Sequence, residues 1–93
     1  TIIEAQPFEK ARVPAYQLQI DFGTLGTLRS SAQITEQYAL SDLVGKQVVA
    51  VVNFPEKQIA NYFSQALVLG VYGDEGVVLL TPDKQCSNGQ KIG

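Results

Sequence analysis

"VVNFPEKQIANYFSQALVLG", residues 51 to 70, is the stretch on which the reading of this chain turns. An apolar run ends at Pro55, a short polar crossing follows, and a second apolar run begins at Ala66. Proline has no amide proton to give to a sheet, so a strand that enters this stretch has to stop there. Two buried strands joined by the crossing would gather Asn53, Lys57, Gln58 and Ser64 around one exposed corner. Asn61 falls where the crossing turns back. Asparagine tolerates left-handed backbone better than other non-glycine residues, so the bend is assigned to it. Ser64 opens the next strand, where its hydroxyl either caps the bend or faces a ligand, and the structural role is the preferred one.

Outward from this stretch the pattern is one of short strands. "KQVVAVVNF", residues 46–54, is nearly all apolar and β-branched and is expected to be a central strand buried on both faces. "YQLQIDF", residues 16–22, alternates, with Tyr16, Leu18, Ile20 and Phe22 on one face and Gln17, Gln19 and Asp21 on the other. Gly23 and Gly26 bracket a tight connection, and "TLRSSA" after it reads as the returning strand of a hairpin. Weak helical character lies between Thr35 and Val44, with Ser41 as the N-cap and Gly45 as the stop. "ALVLGVY" starts a further strand, Gly73 to Gly76 turns, "VVLLT" runs back, and Asn88-Gly89 marks a last turn. The expected fold is all-β: a small closed barrel with one short helical piece, not a helical or doubly wound architecture.

The 93 residues suffice for one domain, 1–93, and not for two. With 45% hydrophobic and 17% charged residues there is material for a packed core. No apolar run is long enough to span a bilayer, so no membrane insertion is expected. The chain starts at Thr1 in a segment that already reads as strand, and the native N-terminus is expected to lie upstream. Cys86 is the only cysteine, which precludes an intrachain disulfide and fits a reducing, cytoplasmic compartment. Histidine is absent, which removes the commonest general base and the commonest metal ligand, so a histidine-dependent triad or a His/Cys zinc site cannot be built.

Other motifs carry little chemistry. Asp74 and Glu75 are adjacent carboxylates, but in a hairpin turn, where solvated charge explains them better than acid–base work. Cys86 has no histidine to activate it. The glycines at 23 and 26 do not follow a βαβ pattern and make no dinucleotide loop. No catalytic constellation and no cofactor is expected. The cations are more informative: Lys10 and Arg12 flank the first loop, Arg29 lies in a strand beside Ser30 and Ser31, and Lys57 lies in the crossing. From spacing alone, ordinary surface charge explains these better than a phosphate-binding track. Aromatics interleave with them at Phe8, Tyr16, Tyr38, Phe54, Tyr62 and Phe63. Some must fill the core, whereas an exposed Tyr62–Phe63 pair could stack on a base or fill a partner's pocket.

The segments "SSAQIT", "LVGKQVVAVVNFPEKQIANYFSQALVLG" and "LLTPDKQCSNGQKIG" closely resemble the CsaA family, part of the wider tRNA-binding-domain group. That module is also appended to some methionyl- and phenylalanyl-tRNA synthetases and occurs in EMAP-II-type cofactors. The resemblance covers essentially the whole chain. Its most specific piece is N-F-P-x-K-Q-I-A followed by a serine and an apolar strand. It implies a five-stranded OB barrel with additions, including extra C-terminal strands, a homodimer, and binding of tRNA through shape and backbone more than through a base code. Carried over by position, the family's polar corner falls on Ser31, Gln33, Asn53, Lys57, Gln58 and Ser64, and Arg29 would widen the positive track. Asn61 stands where relatives usually have glycine, which a left-handed bend accommodates. The net charge of −2 is lower than a strong tRNA binder would show. The rival implied by the same resemblance is an export-related chaperone, holding unfolded preprotein segments in an apolar cavity at the dimer interface, with Tyr62 and Phe63 as candidate contacts.

Overall fold

The computed structural model describes residues 1–93, arranged as nine short strands, one helical turn and one 3-10 turn. Strands β1 (Ile2–Pro7), β2 (Tyr16–Asp21) and β3 (Thr27–Ala32) form an antiparallel sheet in that order. Alternation in β2 does what the sequence implies: Leu18 and Ile20 are buried, while Gln17 and Gln19 stay partly exposed on the opposite face. The β2–β3 hairpin closes through the 3-10 turn Gly23–Leu25, with Gly23 and Gly26 at φ +63° and +84°. The Asp21 carboxylate accepts the Gly23 amide at 2.8 Å, an Asx arrangement that starts the turn.

After β3 come α1 (Leu40–Leu43), β4 (Ala50–Val51), β5 (Lys57–Ile59), β6 (Tyr62–Ser64), β7 (Leu67–Val68), β8 (Gly70–Gly73) and β9 (Gly76–Leu79). Backbone hydrogen bonds join these into a ring. The amides of Gln65 and Ala66 donate to the Arg29 carbonyl, tying the β6–β7 segment to β3. Strand β7 pairs with β4, and the residues before β4 return to β1, with Ile2 donating to the Lys46 carbonyl and Gly45 donating to that of Ile2. The circuit β1–β2–β3–β7–β4–β1 follows the strand order of a five-stranded OB fold, with isolated backbone hydrogen bonds and no regular ladder linking β3 to β7 and β4 to β1. Its interior holds Ile2, Leu18, Ile20, Phe22, Ala32, Ile34, Leu43, Ala66 and Leu79. The β8–β9 hairpin is the C-terminal addition.

Several local expectations are corrected. The segment 46–54 is not buried on both faces: residues 46–52 are all half-buried, and only Ala50–Val51 has regular pairing. One flank of this strand borders an open groove, so its β-branched side chains are covered from one side only. The helix is one turn, with Ala39 at the N-cap and not Ser41, which lies inside it; the Asp42 carboxylate accepts the Ala39 amide at 2.9 Å, and no side chain caps the first-turn amides. Gly45 at φ +92° ends it as expected. "ALVLGVY" is interrupted at Leu69, whose amide turns to the Val49 carbonyl, and gives two short strands.

The crossing of residues 55–63 is itself a β-hairpin, β5–β6, in which Lys57 faces Ser64, Gln58 faces Phe63 and Ile59 faces Tyr62. Its left-handed residue is Ala60, at φ +52°, not Asn61. Ile59 pairs with Tyr62, so the chain reverses within Ala60-Asn61, and of these two residues only Ala60 has positive φ. Alanine there carries the Cβ clash that glycine avoids. Ala60→Gly is therefore expected to raise unfolding free energy by about 0.5–1 kcal/mol in denaturant titration. Asn61→Gly should bring no such gain, and the reverse order would move the bend back to Asn61.

Candidate functional site

The outer face of β1–β2–β3 is polar because alternation turns the apolar residues inward. Opposite positions across the three strands line up as Glu4–Gln19–Arg29 and Gln6–Gln17–Ser31. Gln6 donates to Gln17 at 2.8 Å, so the face is hydrogen-bonded across its strands. The β5–β6 hairpin packs beside β3 and carries Lys57 to the same side, because Lys57 pairs with Ser64 and the Ser31 amide donates to the Ser64 hydroxyl at 3.1 Å.

Tyr62 is the joint of this assembly. Its ring lies against Phe8 of the β1–β2 loop, with centroids 5.4 Å apart and planes tilted by 58°. Its hydroxyl donates to the Leu18 carbonyl at 3.2 Å, and the Arg29 guanidinium sits over the ring at 5.7 Å from its centroid. Burial pushes the Tyr62 phenol above its ordinary pKa, and the neighbouring Arg29 charge only partly opposes this. The hairpin is thereby held to the loop carrying Lys10 and Arg12. That region contains four cations (Lys10, Arg12, Arg29, Lys57) and four carboxylates (Glu4, Glu9, Asp21, Glu56), whereas the rest of the chain has three cations and five carboxylates. The net charge of −2 thus conceals a face that is locally the more positive part of the molecule.

The expected residues separate by what they can offer. Arg29, Gln33, Asn53, Lys57 and Gln58 are exposed, and Ser31 is half-buried. Ser64 is 6% exposed and its hydroxyl is fully engaged, donating to the Ala66 carbonyl at 3.2 Å while accepting the Ser31 amide. Gln58 donates to the Ala60 carbonyl at 3.0 Å and props the strained turn from outside. Asn53 lines the groove beside β4. Tyr62 and Phe63 are not an exposed pair: strand alternation sends Tyr62 onto the barrel and leaves Phe63, 43% exposed, on the other side. Gln65 was not singled out in the sequence, yet its side chain accepts the Arg29 amide at 3.0 Å and donates to the Glu56 carboxylate at 2.9 Å. Nothing in its sequence context distinguishes it from other surface glutamines, because both partners are distant in the chain or across a hairpin.

A second feature is the groove of about 570 Å³ beside β4, whose apolar lining includes Leu25, Val48, Val51, Val52, Pro82 and Ile92. Leu25 and Ile92 are 57% and 72% exposed, so the groove is open. No group of three or more His, Cys, Asp or Glu side chains is placed to hold a metal ion. No helix is long and apolar enough to cross a membrane.

Comparison with known proteins places this geometry. The family model described as "Putative tRNA binding domain" matches residues 1–91. The chain is 33% identical over 93 residues to the methionine–tRNA ligase of Chlorobium phaeobacteroides, and 32% identical over 92 residues to that of Methanocaldococcus jannaschii. It covers 99% and 98% of itself in these matches but only 13% and 14% of the ligases. Among solved structures, the CsaA chaperone protein of Picrophilus torridus superimposes with a TM-score of 0.94 at 50% identity, covering 99% of this chain and 85% of that one. The chaperone CsaA of Bacillus anthracis gives 0.93 at 53% identity, covering 100% and 86%.

Proposed function

Because the chain belongs to the tRNA-binding-domain family, with CsaA proteins as its structural neighbours, we propose that it binds tRNA through the outer face of β2–β3, the β1–β2 loop and the β5–β6 hairpin. The observation that carries this reading is the placement of Tyr62, which bears the Arg29 guanidinium, packs on Phe8 of the loop that contains Lys10 and Arg12, and belongs to the hairpin that contains Lys57. The β2–β3 face and these two flanking loops are where OB barrels engage oligonucleotides. Arg29 and Lys57 neutralise phosphates. Ser31, Gln33 and Gln58 offer hydrogen-bonding groups to sugar, phosphate or exposed base edges, and Phe63 offers an apolar ring. Ser64 acts from beneath by fixing Ser31 to the hairpin. Binding of this kind follows backbone shape and charge and needs no catalytic group. A twofold dimer would present two such faces to one tRNA and multiply a modest single-site affinity.

The apolar groove beside β4 supports a second reading, in which the protein holds extended unfolded polypeptide, as the chaperone description of its structural neighbours suggests. The two surfaces are built mostly from different residues, meeting at Asp21 and Asn53, which also line the groove. A tRNA gel shift repeated with excess unfolded polypeptide separates the readings. Retained tRNA binding is expected if the surfaces are independent. Absence of any shift at low salt would remove the tRNA reading, and displacement by polypeptide would place both ligands on one surface.

A further inference from the structure

We propose that Tyr62 is a positioning residue for RNA binding: it holds the Arg29 guanidinium in place on the barrel face and is not itself a stacking platform for a base. This inference rests on the tRNA reading of that face and deepens it.

Arg29 is fixed at both ends. Its carbonyl accepts the amides of Gln65 and Ala66, and its own amide donates to the Gln65 side chain at 3.0 Å, so its backbone is pinned between β3 and the segment after β6. Its guanidinium lies over the Tyr62 ring. That ring is in turn held by its hydroxyl on the Leu18 carbonyl and by Phe8. An exposed arginine ordinarily loses much side-chain freedom when it meets a phosphate, and one already held against an aromatic face loses less. The ring leaves the guanidinium's donors free at their edges, because a cation over a π face uses none of its N–H groups.

The alternative role for Tyr62, stacking on a base, requires a free ring face. One side of the ring carries Arg29, Phe8 packs against it, and the residue is half-buried. The exposed aromatic of the hairpin is Phe63. The hairpin therefore divides its two aromatics, one inward as a strut and one outward.

The test has an RNA-free arm and an RNA arm. In proton NMR of the free protein, the Arg29 side-chain methylenes should be shifted by the ring current in wild type and in Tyr62→Phe, and should return to ordinary positions in Tyr62→Leu. For tRNA binding at several salt concentrations, Tyr62→Leu should weaken affinity about threefold, the order of the entropy lost when one long side chain must be immobilised on binding. It should also make the salt slope shallower. Tyr62→Phe should keep the slope, and Tyr62→Leu added to Arg29→Ala should cost nothing further. An undiminished loss in the Arg29→Ala background would make Tyr62 a direct RNA contact and overturn the proposal. So would an unshifted Arg29 resonance in wild type. If Tyr62→Leu fails to fold, Tyr62→Phe decides: a loss of affinity with the ring-current shift and the slope both retained would make the hydroxyl a direct RNA contact and overturn the strut, whereas retained affinity, shift and slope support it. If wild type binds no tRNA, the functional reading fails, while the RNA-free arm still reports whether the ring holds Arg29.

Discussion

Replacing Arg29 and Lys57 together by alanine is expected to lower tRNA affinity roughly 20-fold near 0.15 M salt and to make the plot of log affinity against log salt shallower by about 1.4–1.8. The physical basis is counterion release. Each cation that meets a phosphate displaces a condensed counterion, contributing about 0.7–0.9 to the slope and roughly a four- to fivefold gain in affinity at that salt. The single variants should each show about half of the slope change and should weaken different tRNAs about equally, since a phosphate contact carries no sequence information. Gln58→Ala is the uncharged control: its slope should be unchanged and its affinity lower by about 0.5–1.5 kcal/mol if its amide meets the RNA. The competing possibility is that Lys57 is a solvated hairpin lysine and Arg29 merely covers Tyr62. In that case the double variant binds like wild type, at every salt concentration, and the β2–β3 face is not the nucleic-acid surface. The groove beside β4 would then lead.

Ser64→Ala should destabilise the fold by about 1–3 kcal/mol, read as a shift in the midpoint of denaturant unfolding with an unchanged slope. The Ser64 hydroxyl is buried, accepts the Ser31 amide and donates to the Ala66 carbonyl, which also accepts the Ser30 hydroxyl at 2.7 Å. Removing it leaves a partly buried backbone amide without a partner, while Ala66 keeps one donor. Its tRNA affinity, measured where the variant is fully folded, should change little beyond what loosening of the hairpin brings. Unchanged stability with a large loss of affinity would return Ser64 to the ligand surface.

How far the sequence alone reaches can be seen residue by residue. Leu18 and Ile20 alternate with glutamines, so the inward face of β2 follows from period-two patterning that no tertiary contact needs to adjust. Pro55 lies beyond β4, which already ends at Val51, so the proline only bounds the segment, whereas Gly23, Gly26, Gly45 and Gly89 take the positive φ that their turns require. The family resemblance was equally legible, because it lies in a contiguous run around the proline.

What the sequence did not settle depends on partners far away in the chain. Whether Val48 to Val52 are buried on one face or two depends on what covers them, and the fold leaves an open groove there. Ala60 takes the left-handed position instead of Asn61 because the pairing confines the reversal to these two residues and the turn formed there has positive φ at its first position only. Tyr62 and Phe63 are adjacent aromatics with nearly equal claims on a binding surface. Only the docking of the hairpin onto β3 turns one against Phe8 and Arg29 and leaves the other exposed. Local chemistry determined the apolar alternation of β2 and the glycine turns, whereas the short extents of β4, β7 and β8 and the β5–β6 hairpin depend on pairing between segments. Which polar side chains are free to meet a ligand was decided by the tertiary structure, since a hydroxyl or guanidinium is spent or available according to neighbours that the chain brings together only by folding.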